Sequence, residues 1–226
     1  MIQRSFFLFA LLLTGSSGCT QGSGDYFPLD AGRSWDYRVT RTIRGEVREQ
    51  RLLLGSVAPT TVEGVVYYPR RLLDGRLEFH ERAPEGVLAV DPVSGKKSLV
   101  LPQAPEAGRT WQGGTHIHFL EVTGVFAPTF QERVQKTIPL EFRVEAGDET
   151  VTVGAGTFEN CLRVRATGSL FAGSTLKDFM GIRFISVEQT DWYAPGVGLV
   201  RRVRNEYTTP ADWNNQYVQE LLAFGD

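Results

Sequence analysis

Cys19 is the first residue whose setting points to a reaction. It closes the run Ser16-Ser17-Gly18-Cys19, after a single positive charge at Arg4 and an apolar stretch over residues 6–13. A basic start, a short apolar run and small residues form the pattern of a cleaved export signal. The stretch is too short to span a bilayer, which takes about 20 apolar residues. A thiol at that point is placed for diacylglycerol transfer, and two or more acyl chains anchor a protein stably where one does not. The bacterial lipobox usually carries Leu three positions before its cysteine, and Ser16 stands there in this chain. Ser16 and Gly18 also suit an ordinary signal peptidase, so both cleavages stay open. Without acylation, an exported chain can pair Cys19 with Cys161, its other cysteine. With acylation, Cys161 is a lone thiol of the kind that packs as a small hydrophobe. Thr20 is not the Asp that commonly retains lipoproteins in the inner membrane. The expected address is the bacterial cell envelope, lipid-anchored in the outer membrane and facing the periplasm.

The histidines are the next candidates. His116 and His118 lie two apart, which on a strand puts both imidazoles on one face. Glu121 or His80 could complete a zinc or copper shell, although zinc sites use three or four protein ligands. This constellation carries the alternative reading, a metal-dependent enzyme or metal-binding protein. Two Ser-x-x-Lys matches, Ser94 to Lys97 and Ser174 to Lys177, lack the helical setting and the companion motifs that activate serine. No nucleophile elbow, phosphate loop or dinucleotide fingerprint occurs. Arg201, Arg202 and Arg204 face Glu188 and Asp191 across an expected late hairpin, and read as a solvated sheet face. No catalytic residue and no cofactor are therefore expected.

These side chains need a scaffold. From Cys19 onward the chain has 208 residues, with 23 basic and 26 acidic side chains. That length buries a core without disulfide staples. No basic cluster with interleaved aromatics is present, so no nucleic acid is expected as a partner. Short alternating runs recur between Gly and Pro turn signals, the pattern of an antiparallel sheet. Strands are expected at 35–44, 48–57, 61–68, 77–82, 87–90, 97–101, 116–125, 140–145, 149–153, 160–167, 182–193, 198–208 and 217–224. Asp74-Gly75 and Pro195-Gly196 read as hairpin tips; Gly45, Gly64 and Gly147-Asp148 mark further turns. The expected organisation is a signal peptide over 1–18, a lipidated cysteine with a flexible tether over 19–25, and one antiparallel β domain over 26–226. The fold class is mostly β, a barrel-like or strongly curved antiparallel sheet.

Asp30-Ala-Gly-Arg-Ser-Trp35 recurs as Glu106-Ala-Gly-Arg-Thr-Trp111, 76 residues later. One reading is two related halves building one sheet; the other is a reused turn that sets a Trp over one end of the core. The chain also opens with Tyr26-Phe27-Pro28-Leu29, Gly32, Trp35 and Tyr37. It carries Gly156-Thr157-Phe158 with Cys161, and Tyr193 to Val200 as Tyr-Ala-Pro-Gly-Val-Gly-Leu-Val. In these motifs it resembles a group of uncharacterised bacterial exported proteins and lipoproteins. The resemblance implies a mostly antiparallel β architecture and brings no reaction with it.

Two segments break the alternation with apolar residues. One holds Phe171, Leu176, Phe179 and Met180; the other holds Phe126 and Phe130. They read as lids at a barrel mouth or as loops folded onto the core. The function expected is a non-enzymatic envelope protein that holds the membrane through its lipid and binds a protein partner or an apolar ligand.

Overall fold

The computed structural model describes residues 24–118, 137–172, 177, 181–209 and 213–225. Cys19 and the signal lie outside them. Thirteen strands are present among the described residues: β1 (Ser34–Ile43), β2 (Glu46–Ser56), β3 (Thr60–Val62), β4 (Val65–Leu72), β5 (Leu77–Ala83), β6 (Gly86–Val90), β7 (Lys97–Pro102), β8 (Thr110–Thr115), β9 (Ile138–Val153), β10 (Gly156–Phe171), β11 (Phe184–Ala194), β12 (Gly198–Thr209) and β13 (Asn215–Gly225).

All ladders are antiparallel. Twelve strands follow the order β7-β6-β5-β4-β2-β1-β13-β12-β11-β10-β9-β8, and β3 pairs β4 off this path. The order splits into two six-strand meanders, β1 to β7 and β8 to β13, joined where β1 pairs β13. The remaining ends, β7 and β8, lie beside each other without a ladder, so the sheet is a nearly closed barrel.

The sequence echo opens each half. Gly32 and Gly108 share a φ of +89°, a conformation that favours glycine. The Gly32 amide donates to Ser56 O while the Ser56 amide donates to Arg33 O; the Gly108 amide donates to Val144 O while the Val144 amide donates to Arg109 O. Each turn thus clamps onto the neighbouring strand and delivers a buried Trp35 or Trp111. The same turn device therefore opens each of the two six-strand meanders.

The motifs of the resemblance also meet. Trp35 Nε1 donates to Val197 O at 2.7 Å, Tyr37 Oη to Leu199 O at 2.9 Å, and Tyr26 Oη to Asn160 O at 3.2 Å. Cys161 carries a free thiol with no exposed surface, in a cluster with Trp35, Val197 and Leu221. Burial pushes that thiol up to about 11, which keeps it protonated near neutral pH, as suits a side chain packed in this cluster. The N-terminal segment packs across the same end of the barrel. Phe27 and Leu29 are buried, and Arg70 lies between the Phe27 and Trp35 rings while donating to Pro28 O at 2.7 Å. Asp25, assigned above to the tether, belongs to the domain: its carbonyl accepts from the Gly196 amide and its carboxylate from Phe27 N and Arg82.

Two expected elements differ. Gly147-Asp148 is not a turn, because β9 runs unbroken from Ile138 to Val153. The two residues form a bulge opposite Leu162, between the Glu149–Cys161 and Ala146–Arg163 pairs. Of the strand expected over 116–125, residues 116–118 are described and continue no ladder, since β8 ends at Thr115; residues 119–125 lie outside the described residues. Beyond it the backbone leaves the ladder for side chains: Arg204 Nη2 donates to His116 O, and the His118 amide donates to Glu206.

Close packing supplies one test. A Cβ on Gly168 would lie 2.0 Å from Pro139 O, a backbone atom that cannot swing aside. Gly168→Ala should force β9 from β10 and cost about 1–3 kcal/mol in urea unfolding, the range of other overpacked sites.

Candidate functional site

The inner face of β11, β12 and β13 is polar. Strand alternation points Gln189, Asp191 and Tyr193 of β11 inward, with Asn215, Tyr217 and Gln219 of β13, and all six are buried. On β12 the inward residues include Arg202, Arg204, Glu206 and Thr208. The solvated face expected for the arginines is therefore overturned for two of them. Arg201 alone faces out, with its guanidinium over Trp192 and near Glu220.

Asp191 is opposite Arg202 in the ladder, and the pair is bidentate, with both contacts at 2.7 Å. Gln189 Nε2 and Tyr193 Oη also donate to Asp191, at 2.9 and 3.1 Å. Burial pulls the Arg202 guanidinium down, but the Asp191 charge and hydrogen bonds hold it above its ordinary value. Burial and the adjacent Asp191 charge keep Tyr193 protonated. The second pair lies deeper. Arg204 is 1% and Glu206 0% exposed at the side chain, and Arg204 donates to Glu206 Oε1 from Nη2 at 2.6 Å and from Nε at 3.1 Å. Arg204 also holds Thr115 Oγ1, Gln189 Oε1 and His116 O, while Asn215 Nδ2 donates to Glu206 Oε2. These bonds tie β12 to β11, to β13 and to the chain leaving β8.

The histidines do not converge. His116 is exposed and His118 half-buried, both past the end of β8. His118 packs edge-on to Tyr217, with centroids 5.4 Å apart. His80 is buried on β5 against Phe27 at the other end of the barrel. Among the described residues no three His, Cys, Asp or Glu side chains gather as a metal site, and Glu121 lies outside them. Burial, then the charges of Arg204, Arg202 and Arg41, lower His118 to about 2. Burial and Arg70 lower His80 to about 3. A pocket ringed by arginines that disfavours a proton disfavours a metal cation for the same reason. The Ser94 and Lys97 match also dissolves: Ser94 sits in a turn capped by Asp91, and Lys97 on β7 pairs with Glu81.

The two neutral histidines give a pH prediction. Their folded values lie below the unfolded value of about 6.5, so their contribution is complete above pH 6.5 and is lost as pH falls toward the folded values. Between pH 6 and 5 the two together should cost on the order of 2 kcal/mol. Urea midpoints at pH 7, 6 and 5 measure this, and His80→Gln/His118→Gln should flatten the decline.

Of the expected mouth residues, Phe171 is described and the other five, Leu176, Phe179, Met180, Phe126 and Phe130, lie outside the described residues. Phe171 is 58% exposed on the last position of β10, opposite Phe184 of β11, itself 50% exposed. The rings meet edge-on with centroids 5.4 Å apart. This rim is where β8, β10 and β12 end and β9, β11 and β13 begin. The chain enters the domain at the opposite end, where Gly24 packs on Pro195 in the β11–β12 turn. Sequence reading missed the charged inner wall, because a polar residue at every second position looks the same on an enclosed face and on a wet one.

No protein-family model matches the chain, and no curated protein matches it. Two solved structures are similar in backbone. One, from Bacteroides fragilis, is provisionally described as an exported protein with a YmcC-like fold. It is 14% identical, with 90% of this chain and 100% of that chain covered and a TM-score of 0.44. The other, from Parabacteroides distasonis, is provisionally described as a lipoprotein. It is 13% identical, with 89% of this chain and 99% of that chain covered and a TM-score of 0.41.

Proposed function

We propose that this chain is a non-enzymatic, lipid-anchored protein of the bacterial envelope, and that it binds a protein partner through the barrel rim opposite its tether. The observation that carries the reading is the Phe171–Phe184 pair. Two half-exposed aromatic rings stand side by side at the end away from Gly24, where the chain would arrive from an acylated Cys19. A tether at one end presents the other end to the periplasm, and paired exposed aromatics are the residues that anchor protein interfaces. The polar inner wall favours a protein partner over an apolar ligand. Asp191, Arg202, Arg204 and Glu206 already satisfy one another, and an apolar guest against them would bury charge without returning a contact. Thr20 supports the outer membrane as the site of anchoring.

A photo-crosslinking residue at Phe171 or at Phe184, in cells, tests this. The same protein adduct from both positions, absent from exposed Val93 and weakened when the phenylalanine of the pair that does not carry the crosslinker is changed to Ser, is the expected result. Extracted lipid in place of a protein adduct would move the function to an apolar carrier. Stoichiometric zinc or copper in the purified chain, with a phenotype in His116→Ala/His118→Ala, would replace both with the metal reading.

A further inference from the structure

The sheet is not paired along its whole path. β2 is matched by β1 from Glu46 to Gly55, but its other side meets β4 only at Leu54, Gly55 and Ser56. From Val47 to Leu53 its outer edge carries no ladder among the described residues. Val47 to Arg51 are all exposed, as is Leu53, and only Leu52 is half-buried. An open strand edge is a template for another strand, and charged side chains decide which strand it accepts.

The orientation of this edge can be read. The two-residue Arg44-Gly45 turn has φ of 51° and 83°, the hairpin type that makes its flanking residues, Ile43 and Glu46, a hydrogen-bonded pair. Even-numbered residues of β2 then turn their backbone groups toward β1. Further along, Ser56 N does donate to Arg33 O on that side, while Val57 N donates to Pro69 O on the β4 side. So Val47, Glu49, Arg51 and Leu53 aim their amides and carbonyls outward along the edge. Their side chains share the outer face of the barrel with Asp36, Arg38, Thr40 and Thr42.

We propose that this edge pairs with the same edge of a second copy. A two-fold axis perpendicular to the sheet keeps each face on its own side, so only residues of equal parity can stand opposite. Centring the axis on Gln50 sets Glu49 against Arg51 of the other copy, and Val47 against Leu53, each twice. Every charged residue on that face of the edge meets an opposite charge. Both exposed apolar residues, Val47 at 66% and Leu53 at 37%, meet each other. Centring on Arg48 or on Glu49 instead places like charges on the axis and loses these matches. The register also puts the outward backbone groups in hydrogen-bonded pairs, about eight bonds in all. The edge ends where Leu54 takes up Leu72 of β4, which fixes the length of the pairing at Val47 to Leu53. Arg51 already bonds Asp36 within its own chain, which holds its guanidinium on this face.

The test exploits the symmetry. In a dimer, Glu49→Arg alone sets guanidinium against guanidinium at both charged pairs, and Arg51→Glu alone sets carboxylate against carboxylate. In a mixed dimer of the two variants a wholly cationic edge faces a wholly anionic one, so both charged pairs are again of opposite sign and an equimolar mixture of the two single variants should dimerise. The double variant Glu49→Arg/Arg51→Glu, which exchanges the two charges within one chain, restores both opposite-charge pairs. Full-length chain in mild detergent is followed by sedimentation velocity, with circular dichroism checking that each variant keeps the sheet. We expect a dimer for the unaltered chain, monomers for each single variant, and a dimer for the double variant. Gln50→Cys, whose copies meet at a close non-hydrogen-bonded pair, should also form a disulfide dimer on mild oxidation while Val93→Cys does not. A monomeric unaltered chain that also fails to crosslink through Gln50→Cys overturns the proposal. So does a dimer that survives both single variants, which would place the contact on another surface.

Discussion

Glu206→Ala is expected to destabilise the domain by about 3–5 kcal/mol, the range for removing one partner of a buried ion pair. Glu206 has no exposed surface and accepts from Arg204, the His118 amide and Asn215. Its removal leaves a guanidinium that is itself 1% exposed without its bonded counter-charge, and frees the backbone that leaves β8. Burial pulls the Arg204 guanidinium down even with Glu206 present, so the site tolerates the charge only because the carboxylate is there. Glu206→Ala/Arg204→Met should cost less than Glu206→Ala alone, since no uncompensated charge remains. Equal costs for the single and the double variant would show that the pair is not energetically coupled. Urea unfolding at pH 7 measures both.

Trp35→Ala should cost a comparable amount, about 3–5 kcal/mol, by cavity formation. The ring is 3% exposed, donates to Val197 O, and covers one face of the Arg70 guanidinium. Arg70 is buried and forms no ion pair among the described residues; burial pulls it down, and the rings of Phe27 and Trp35 are what it keeps in exchange for water. Trp111→Ala is the internal comparison. Trp111 stacks on Phe142 at 5.2 Å, but its Nε1 has no hydrogen-bond partner among the described residues. It occupies the equivalent place in the second half, and its loss should cost less than that of Trp35. The reverse order would mean that the clamp around Arg70 contributes little.

The parts of this fold that were legible are those set by local chemistry. Alternation located most of the strands, and glycines marked the Gly45, Gly64 and Gly75 turns because each holds a φ near +80° that other residues avoid. The repeated Ala-Gly-Arg turn opens each meander, and it was legible because its glycine needs a positive φ at both places. Cys161 read as a packing residue and is one. What misled were places where a long-range partner overrides the local pattern. Gly147-Asp148 has the composition of a turn, yet β10 pairs across it and absorbs the extra residues as a bulge. His116 to His118 has the alternation of a strand, yet Arg204 and Glu206, 88 residues away along the chain, take its backbone groups. Arg202 and Arg204 have the period of a solvated face, and only closure of the barrel shows that the face is inside. Neither the electrostatic wall nor the open edge of β2 is written in any one segment, since each depends on which strands end up adjacent.

The proposed function depends on a barrel held to a membrane from the end at which its chain enters. The mass of the N-terminal peptide, recovered from chain extracted out of bacterial envelopes, tests this most directly. We predict a chain that begins at Cys19 and carries a diacylglyceryl group on the Cys19 sulfur, shifting from the membrane to the soluble fraction in Cys19→Ser. A chain that begins elsewhere, or that begins at Cys19 with an unmodified thiol, would contradict the anchor and the orientation of the binding rim with it.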